Sequence, residues 1–322
     1  MTEVRRSAAS GPEALREVVQ LAERTVASLV GWRLQRLRRS LDGPLAVVGT
    51  GGTLALATLW ARLHEAAGQP AWSLTPADYV ARATPPGTRT LILSATGRHH
   101  DILSAAREAA RRHAPLHAVV HDRSAPLCDI VRAAGGDVTV LPRPPQPATL
   151  ADPRVAVPML ALAGSVHGGV DLDTLEALQV PPPPAERPAL VICLGTGLAA
   201  PAAADFASRC RESGLALAVA TDRRDATHGD LLQVDPARTW LVQFFDPAEA
   251  GQIDAYNRRL PAELAVTCVQ AGGPLSTGAI ALCVAGGLLF QATADRFAVH
   301  PRVEALPEWM KALYRLPDAP GA

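Results

Sequence analysis

The stretch Leu91-Ile-Leu-Ser-Ala-Thr-Gly-Arg-His-His-Asp101 decides how the rest of the chain reads. Thr90 to Leu93 is a short β-branched and aliphatic run, the pattern of a parallel strand covered on both faces. Asp101 to Arg112 then places Ile102, Leu103, Ala106 and Ala109 at helical spacing. The turn between them carries Ser94, Thr96 and Gly97. A helix start offers unpaired backbone N–H groups and a partial positive charge, so an anion fits there without a dedicated lysine. Hydroxyls add rotatable donors, and glycine admits a close backbone approach. The same residues also suit a capped helix start that holds no ligand, and the surrounding chain has to decide between the two.

Working outward, a strand–helix rhythm surrounds this stretch. Leu45 to Val48 reads as a strand, Gly49-Thr-Gly-Gly-Thr53 as a turn and Leu54 to Ala67 as a helix. Strands follow at 71–74, 117–121 and 138–141, with a helix at 126–134. Such alternation predicts a parallel, doubly wound sheet with ligands at the carboxyl ends of its strands. A connector over 142–188 holds a helix at 155–166 and ends in the stiff spacer Pro181-Pro-Pro-Pro184. The rhythm then repeats: strand 190–193, turn Leu194-Gly-Thr-Gly197, helix 199–213, and strands 215–220, 240–245 and 266–269. The expected fold is α/β, with two doubly wound parallel-sheet, flavodoxin-like domains in tandem, each a three-layer α/β/α unit. Its expected organisation is N-terminal helices over 1–40, a first domain over 41–150, a helical connector and Pro-rich linker over 151–188, and a second domain with a C-terminal tail over 189–322.

Composition narrows the function. The 322 residues are 48% hydrophobic but only 4% aromatic, which suits layered α/β packing. Basic and acidic residues balance at 31 each, so nucleic acid is not expected as a partner. Cys128, Cys193, Cys210, Cys268 and Cys283 lack metal-ligand spacing and read as buried thiols of a reducing compartment. No metal and no cofactor is expected. The N-terminus lacks an apolar signal core, and the apolar window Gly278 to Thr293 is short for a membrane span, so a cytoplasmic protein with no membrane partner is expected.

With Gly49-Thr-Gly-Gly-Thr53, Ser94-Ala-Thr-Gly97 and the segment Gly195 to Gly229 in view, the chain resembles the double sugar-isomerase (SIS) domain family over roughly residues 40 to 316. It looks most like the isomerase half of glucosamine-6-phosphate synthase and the stand-alone sugar-phosphate isomerases. The resemblance implies a phosphate cradle made of Gly49, Gly51, Gly52, Thr53, Ser94, Thr96, Gly97 and His99. Gly52 stands where the family has a hydroxyl, and His99 where it has a threonine. Arg209-x-x-Glu212 and Thr227-His-Gly229 follow at the family's spacing, with Arg209 in place of a lysine and Asp230 in place of a proline. The resemblance implies that Glu212 moves the C2 proton to C1 and that His228 opens the sugar ring, in several relatives from the neighbouring subunit. A homodimer binding a small sugar phosphate is the expectation. Arg209 and Lys311, the single lysine, are possible auxiliaries.

The chemistry sets its own requirements. Aldose–ketose isomerisation needs one base that takes a proton beside a carbonyl and returns it one carbon along, with its pKa lifted towards neutrality by burial. Ring opening needs a group that donates and accepts near neutral pH, as histidine does. Against this, Glu212 also reads as a surface helix glutamate beside Arg209 and Arg211, and His228 as a histidine in an exposed polar loop over 222–230. Only some 40 residues precede the first strand, so no glutaminase is expected and amination is set aside in favour of isomerisation or deamination. Two rivals remain. One is a sugar-phosphate sensor that keeps the fold without turnover, which Gly52, His99 and Asp230 favour. The other is a dinucleotide site built on Gly195-Thr-Gly197-Leu-Ala-Ala200 with Asp222 as the ribose-binding acid.

Overall fold

The computed structural model describes residues 11–29, 31–143 and 152–299. Two helices open the chain, α1 (Pro12–Ser28) and α2 (Trp32–Leu41). The first sheet follows as β1 (Leu45–Val48), α3 (Gly52–Ala66), β2 (Ala71–Leu74), α4 (Pro76–Ala81), β3 (Arg89–Leu93), α5 (His100–Arg111), β4 (Leu116–Val120), α6 (Pro126–Ala133) and β5 (Asp137–Val140). Its five strands are parallel in the order β2-β1-β3-β4-β5. Every residue of β1 and β4 is buried, as the aliphatic runs predict for strands covered on both faces.

Helices α7 (Val157–Val166) and α8 (Leu172–Glu176) form the connection. The second sheet comprises β6 (Leu190–Gly195), α9 (Ala200–Glu212), β7 (Leu217–Thr221), α10 (Arg223–His228), β8 (Thr239–Phe245), α11 (Ala250–Asn257) and β9 (Ala265–Gln270), and α12 (Leu275–Arg296) closes the described chain. Its four strands are parallel in the order β7-β6-β8-β9. The chain is therefore α/β with two parallel sheets, as the alternation predicts.

The two halves share one interior. A single apolar cluster takes Leu45, Val47, Leu91 and Leu93 from the first sheet, and Val191, Trp240, Val242 and Phe244 from the second. Trp60 of α3, Leu162 of α7, Phe206 of α9 and Phe290 of α12 fill the space between them. Phe206 meets Trp240, Phe244 and Phe290 at ring separations of 5.4, 5.8 and 6.0 Å. Each such contact adds roughly 0.5–1.5 kcal/mol beyond area burial. Helix α12 is the one helix among the described residues long and apolar enough to cross a membrane, and 89% of its apolar window is buried in this core.

Three expectations need correction. The polar loop expected over 222–230 is mostly helix α10, because the Asp222 carboxylate accepts the N–H groups of Arg224 and Asp225 and caps it. The helix expected from Val155 starts at Val157, after a short 3-10 turn over Pro153–Val155 capped by Asp152. Cys268 is exposed, since it sits on edge strand β9, whereas the other four thiols are buried.

Candidate functional site

In a sheet of this order the chain reverses direction between β1 and β3, and a crevice opens beyond their carboxyl ends. Val48 is in register with Ile92, so the turns that follow, 49–53 and 94–99, stand side by side. The two halves of the expected cradle therefore meet. Gly51 takes φ +53°, a left-handed conformation that glycine adopts without cost, and caps α3. Gly97 has φ +62°, and a Cβ there would lie 2.6 Å from that of Ala125.

The hydroxyls of the expected cradle also brace their own turns. Thr53 Oγ1 accepts from the Thr50 N–H at 3.0 Å and donates to the Thr50 carbonyl at 2.8 Å. Buried Ser94 accepts the Gly97 N–H at 3.0 Å through Oγ and keeps its own proton to donate. Thr96 Oγ1 receives the Arg98 N–H at 3.4 Å. His99 caps α5, with Nδ1 3.2 Å from the carboxylate of Asp101, and Gly52 is the exposed first residue of α3.

Glu212, 160 residues further on than Gly52 by their numbers, comes to this turn because α3 and α9 pack together. Its Oε1 is 3.6 Å from where a Cβ on Gly51 would stand, and it accepts a 2.7 Å hydrogen bond from Ser208. The carboxylate is exposed, not buried as the chemistry expects of the free base. The reason is its position at the last residue of α9, where the helix leaves the shared core.

Beneath it lies a charge network that sequence reasoning missed. Buried Arg209 bonds Asp205 at 2.7 Å, one helical turn away. Burial works against the charge of Arg209, but Asp205, with Glu212 and Asp152 adding, more than offsets it and holds the guanidinium above its ordinary pKa. Asp152 in turn bonds Arg154, which reaches Glu17 of α1 at 2.6 Å. The i, i+4 pairing of Asp205 with Arg209 was visible in the sequence; the links to Asp152 and Glu17 had no local signal.

His228 does not join this group within one chain. It ends α10, beyond the carboxyl end of β7, and is exposed. Helix α9 starts from the carboxyl end of β6, neighbour of β7, and its 13 residues carry Glu212 about 20 Å towards the other end of that sheet. Lys311 and the C-terminal tail lie outside the described residues.

The rival dinucleotide fingerprint fares differently. Asp222 is engaged as the α10 cap, and the space beside Thr196 is taken by the Glu249 carboxylate, bonded at 3.2 Å to Thr196 and 2.5 Å to Arg223. Two open cavities of about 670 and about 490 Å³ lie at the amino end of the first sheet, around His113, Ala114 and Pro115. Neither is lined by any of the expected site residues, and parallel sheets bind ligands at the opposite end. Among the described residues, no group of His, Cys, Asp and Glu side chains is arranged to hold a metal.

No family model matches the sequence, nor does any curated protein. Solved structures do match over most of the chain. Glucosamine-6-phosphate deaminase from Thermotoga maritima superposes with a TM-score of 0.68 at 14% identity, over 90% of this chain and 96% of its own. Tagatose-6-phosphate ketose/aldose isomerase from Escherichia coli gives 0.68 at 15%, over 90% and 96%. The C-terminal domain of glucosamine-fructose-6-phosphate aminotransferase from Francisella tularensis gives 0.66 at 14%, over 93% and 100%. The fold is thus that of the sugar-isomerase domain proteins which the sequence resembles.

Proposed function

We propose that the chain is a cytoplasmic sugar-phosphate isomerase, aldose–ketose or amino-sugar deaminating, that works through an enediol or enolamine as a homodimer. The observation that carries this reading is the Glu212 carboxylate beside the Gly51 turn, which sets a base next to an anion cradle made by the other half of the chain. With the phosphate held by the N–H groups of the two helix starts and the hydroxyls of Ser94 and Thr96, C1 and C2 of an open-chain sugar face that carboxylate. Glu212 takes the C2 proton and returns it to C1. Substrate and a second chain cover the exposed carboxylate and exclude water from the proton transfer. His228 of a second copy opens the ring, because the first chain holds its own His228 at the other end of the second sheet. Charged Arg209, fixed by Asp205, stabilises the negative charge that develops on the enediolate.

Deuterium wash-in at C1 and C2 of hexose and hexosamine 6-phosphates, followed by NMR in D₂O, tests this. Exchange on one sugar that is lost in Glu212→Gln supports it; a panel with no exchange refutes it. The second reading, a sensor without turnover, is favoured by Thr53, whose hydroxyl both donates and accepts within its own turn, and by the exposure of Glu212. Binding without exchange selects it.

A further inference from the structure

The glycine turn of the first half is built a second time. Gly195-Thr196-Gly197 repeats Gly49-Thr50-Gly51, and Gly197 has the same φ of +53° as Gly51. A Cβ on Gly49 would stand 2.3 Å from the Thr53 carbonyl oxygen, and one on Gly195 2.6 Å from that of Ala199. Each turn ends the first strand of its sheet and opens a long helix, with neighbouring strands on both sides. The second sheet therefore has its own point of reversal, between β6 and β8.

A carboxylate of the chain already occupies that point. Glu249 Oε1 accepts from Thr196 Oγ1 at 3.2 Å and from Arg223 Nη2 at 2.5 Å, while Oε2 accepts from the Asp246 N–H at 3.3 Å. Burial opposes the charge of Glu249, yet Arg223, the Asp246 N–H and Thr196 together hold its pKa below the ordinary carboxylate value. The donors exceed what this carboxylate uses. Among the described residues, Arg223 Nη1 and Tyr256 Oη are buried without partners. Tyr256 packs on the apolar cluster of Ile192, Leu194, Leu241 and Ala226, which joins β6, β8 and α10, the helix that carries Arg223. Buried donors left unpaired cost about 1–3 kcal/mol each, so this cluster is incomplete with the carboxylate in place. A phosphate brings more acceptor oxygens and more charge than a carboxylate. The side chain of Glu249 is 26% exposed and so already touches water.

We propose that the β6–β8 reversal point is a second binding site, for a phosphorylated small molecule that displaces Glu249 from Arg223 and Thr196 and takes Tyr256 Oη as a further donor. It is independent of the site at Ser94 and Glu212 and does not need that reading to hold. Calorimetric titration of the full chain with inorganic phosphate tests it. Glu249→Gln, which leaves the donors and removes the competing charge, is expected to tighten phosphate at least tenfold. Adding Arg223→Gln is expected to abolish that gain, and Ser94→Ala to leave it intact. Should the Arg223 variant fail to fold, Tyr256→Phe in the Glu249→Gln background is expected to weaken phosphate several-fold. Phosphate affinity unmoved by Glu249→Gln, or a gain that survives both Arg223→Gln and Tyr256→Phe, would overturn the proposal and leave the ion pair a latch between α10 and the turn after β8.

Discussion

Oε1 of Glu212 lies 3.6 Å from the point where a Cβ on Gly51 would stand. This relationship joins the two halves of the chain. The last residue of α9, at the amino end of the second sheet, meets the turn after β1, at the carboxyl end of the first. On the function proposed above, it sets the base against the turn that would hold the sugar's phosphate.

Gly51→Ala tests that contact. At φ +53° an alanine is strained by roughly 1–2 kcal/mol, and its methyl faces the carboxylate. The melting temperature is expected to fall by several degrees. Deuterium exchange is expected to fall by more than the temperature shift explains, by at least about tenfold. Unchanged exchange in the folded variant would separate the turn from the chemistry.

The separation of Glu212, at the end of α9, from His228, at the end of α10, predicts complementation between subunits. Glu212→Gln and His228→Ala chains are each expected to be inactive alone. Mixed and allowed to exchange subunits, they are expected to recover roughly a quarter of wild-type activity, since half of the dimers are mixed and each of those has one intact site. No recovery in a demonstrated mixed dimer would mean that both residues act within one chain, or that His228 does not act.

The buried pair Asp205–Arg209 predicts an asymmetric response. Its side chains are 7% and 10% exposed, so Asp205→Asn leaves a buried guanidinium short of its partner and is expected to cost about 3 kcal/mol. Replacing both, with Asp205→Leu and Arg209→Met, is expected to restore most of that loss in urea unfolding. Equal loss in the single and double variants would show that the links of Arg209 to Asp152 and Glu212 matter more.

Buried histidines predict acid sensitivity. Burial holds His117 at about 4, against 6.5 for the free side chain, with Asp137 pushing it up and Arg36 down. Burial likewise holds His167 at about 4. Between these values the unfolded chain binds the extra protons, so stability rises with pH across that window. The contribution is complete above 6.5 and lost by 4. For His117 it is on the order of 3 kcal/mol. Urea midpoints at about pH 7 and about pH 5 measure it, and His117→Gln is expected to flatten the difference; an unchanged slope would assign the sensitivity elsewhere.

Much of the fold was legible because parallel strands and their helices announce themselves locally. The aliphatic runs at 45–48, 90–93 and 190–193 became β1, β3 and β6 with ends shifted by at most two residues. Short helices were harder. Helix α4 starts at Pro76 behind its cap Thr75, and α11 follows the capping box of Asp246 and Glu249, signals in the sequence that a reading by apolar periodicity passes over. Helix α10 reads as a loop for the same reason, as only Ala226 of its six residues is buried.

The two parallel sheets and the glycine and hydroxyl turns at their strand ends were legible in the chain, because strand burial, helix starts and tight turns are written in neighbouring residues. Long-range packing decided that the sheets share one core, that α3 and α9 bring Gly51 to Glu212, and that Glu212 stays exposed. It also decided that Arg209 is buried on Asp205 and that Glu249 fills the second turn. Those outcomes depend on how helices pack across more than a hundred residues, and on which charges that packing removes from water. No local spacing records either.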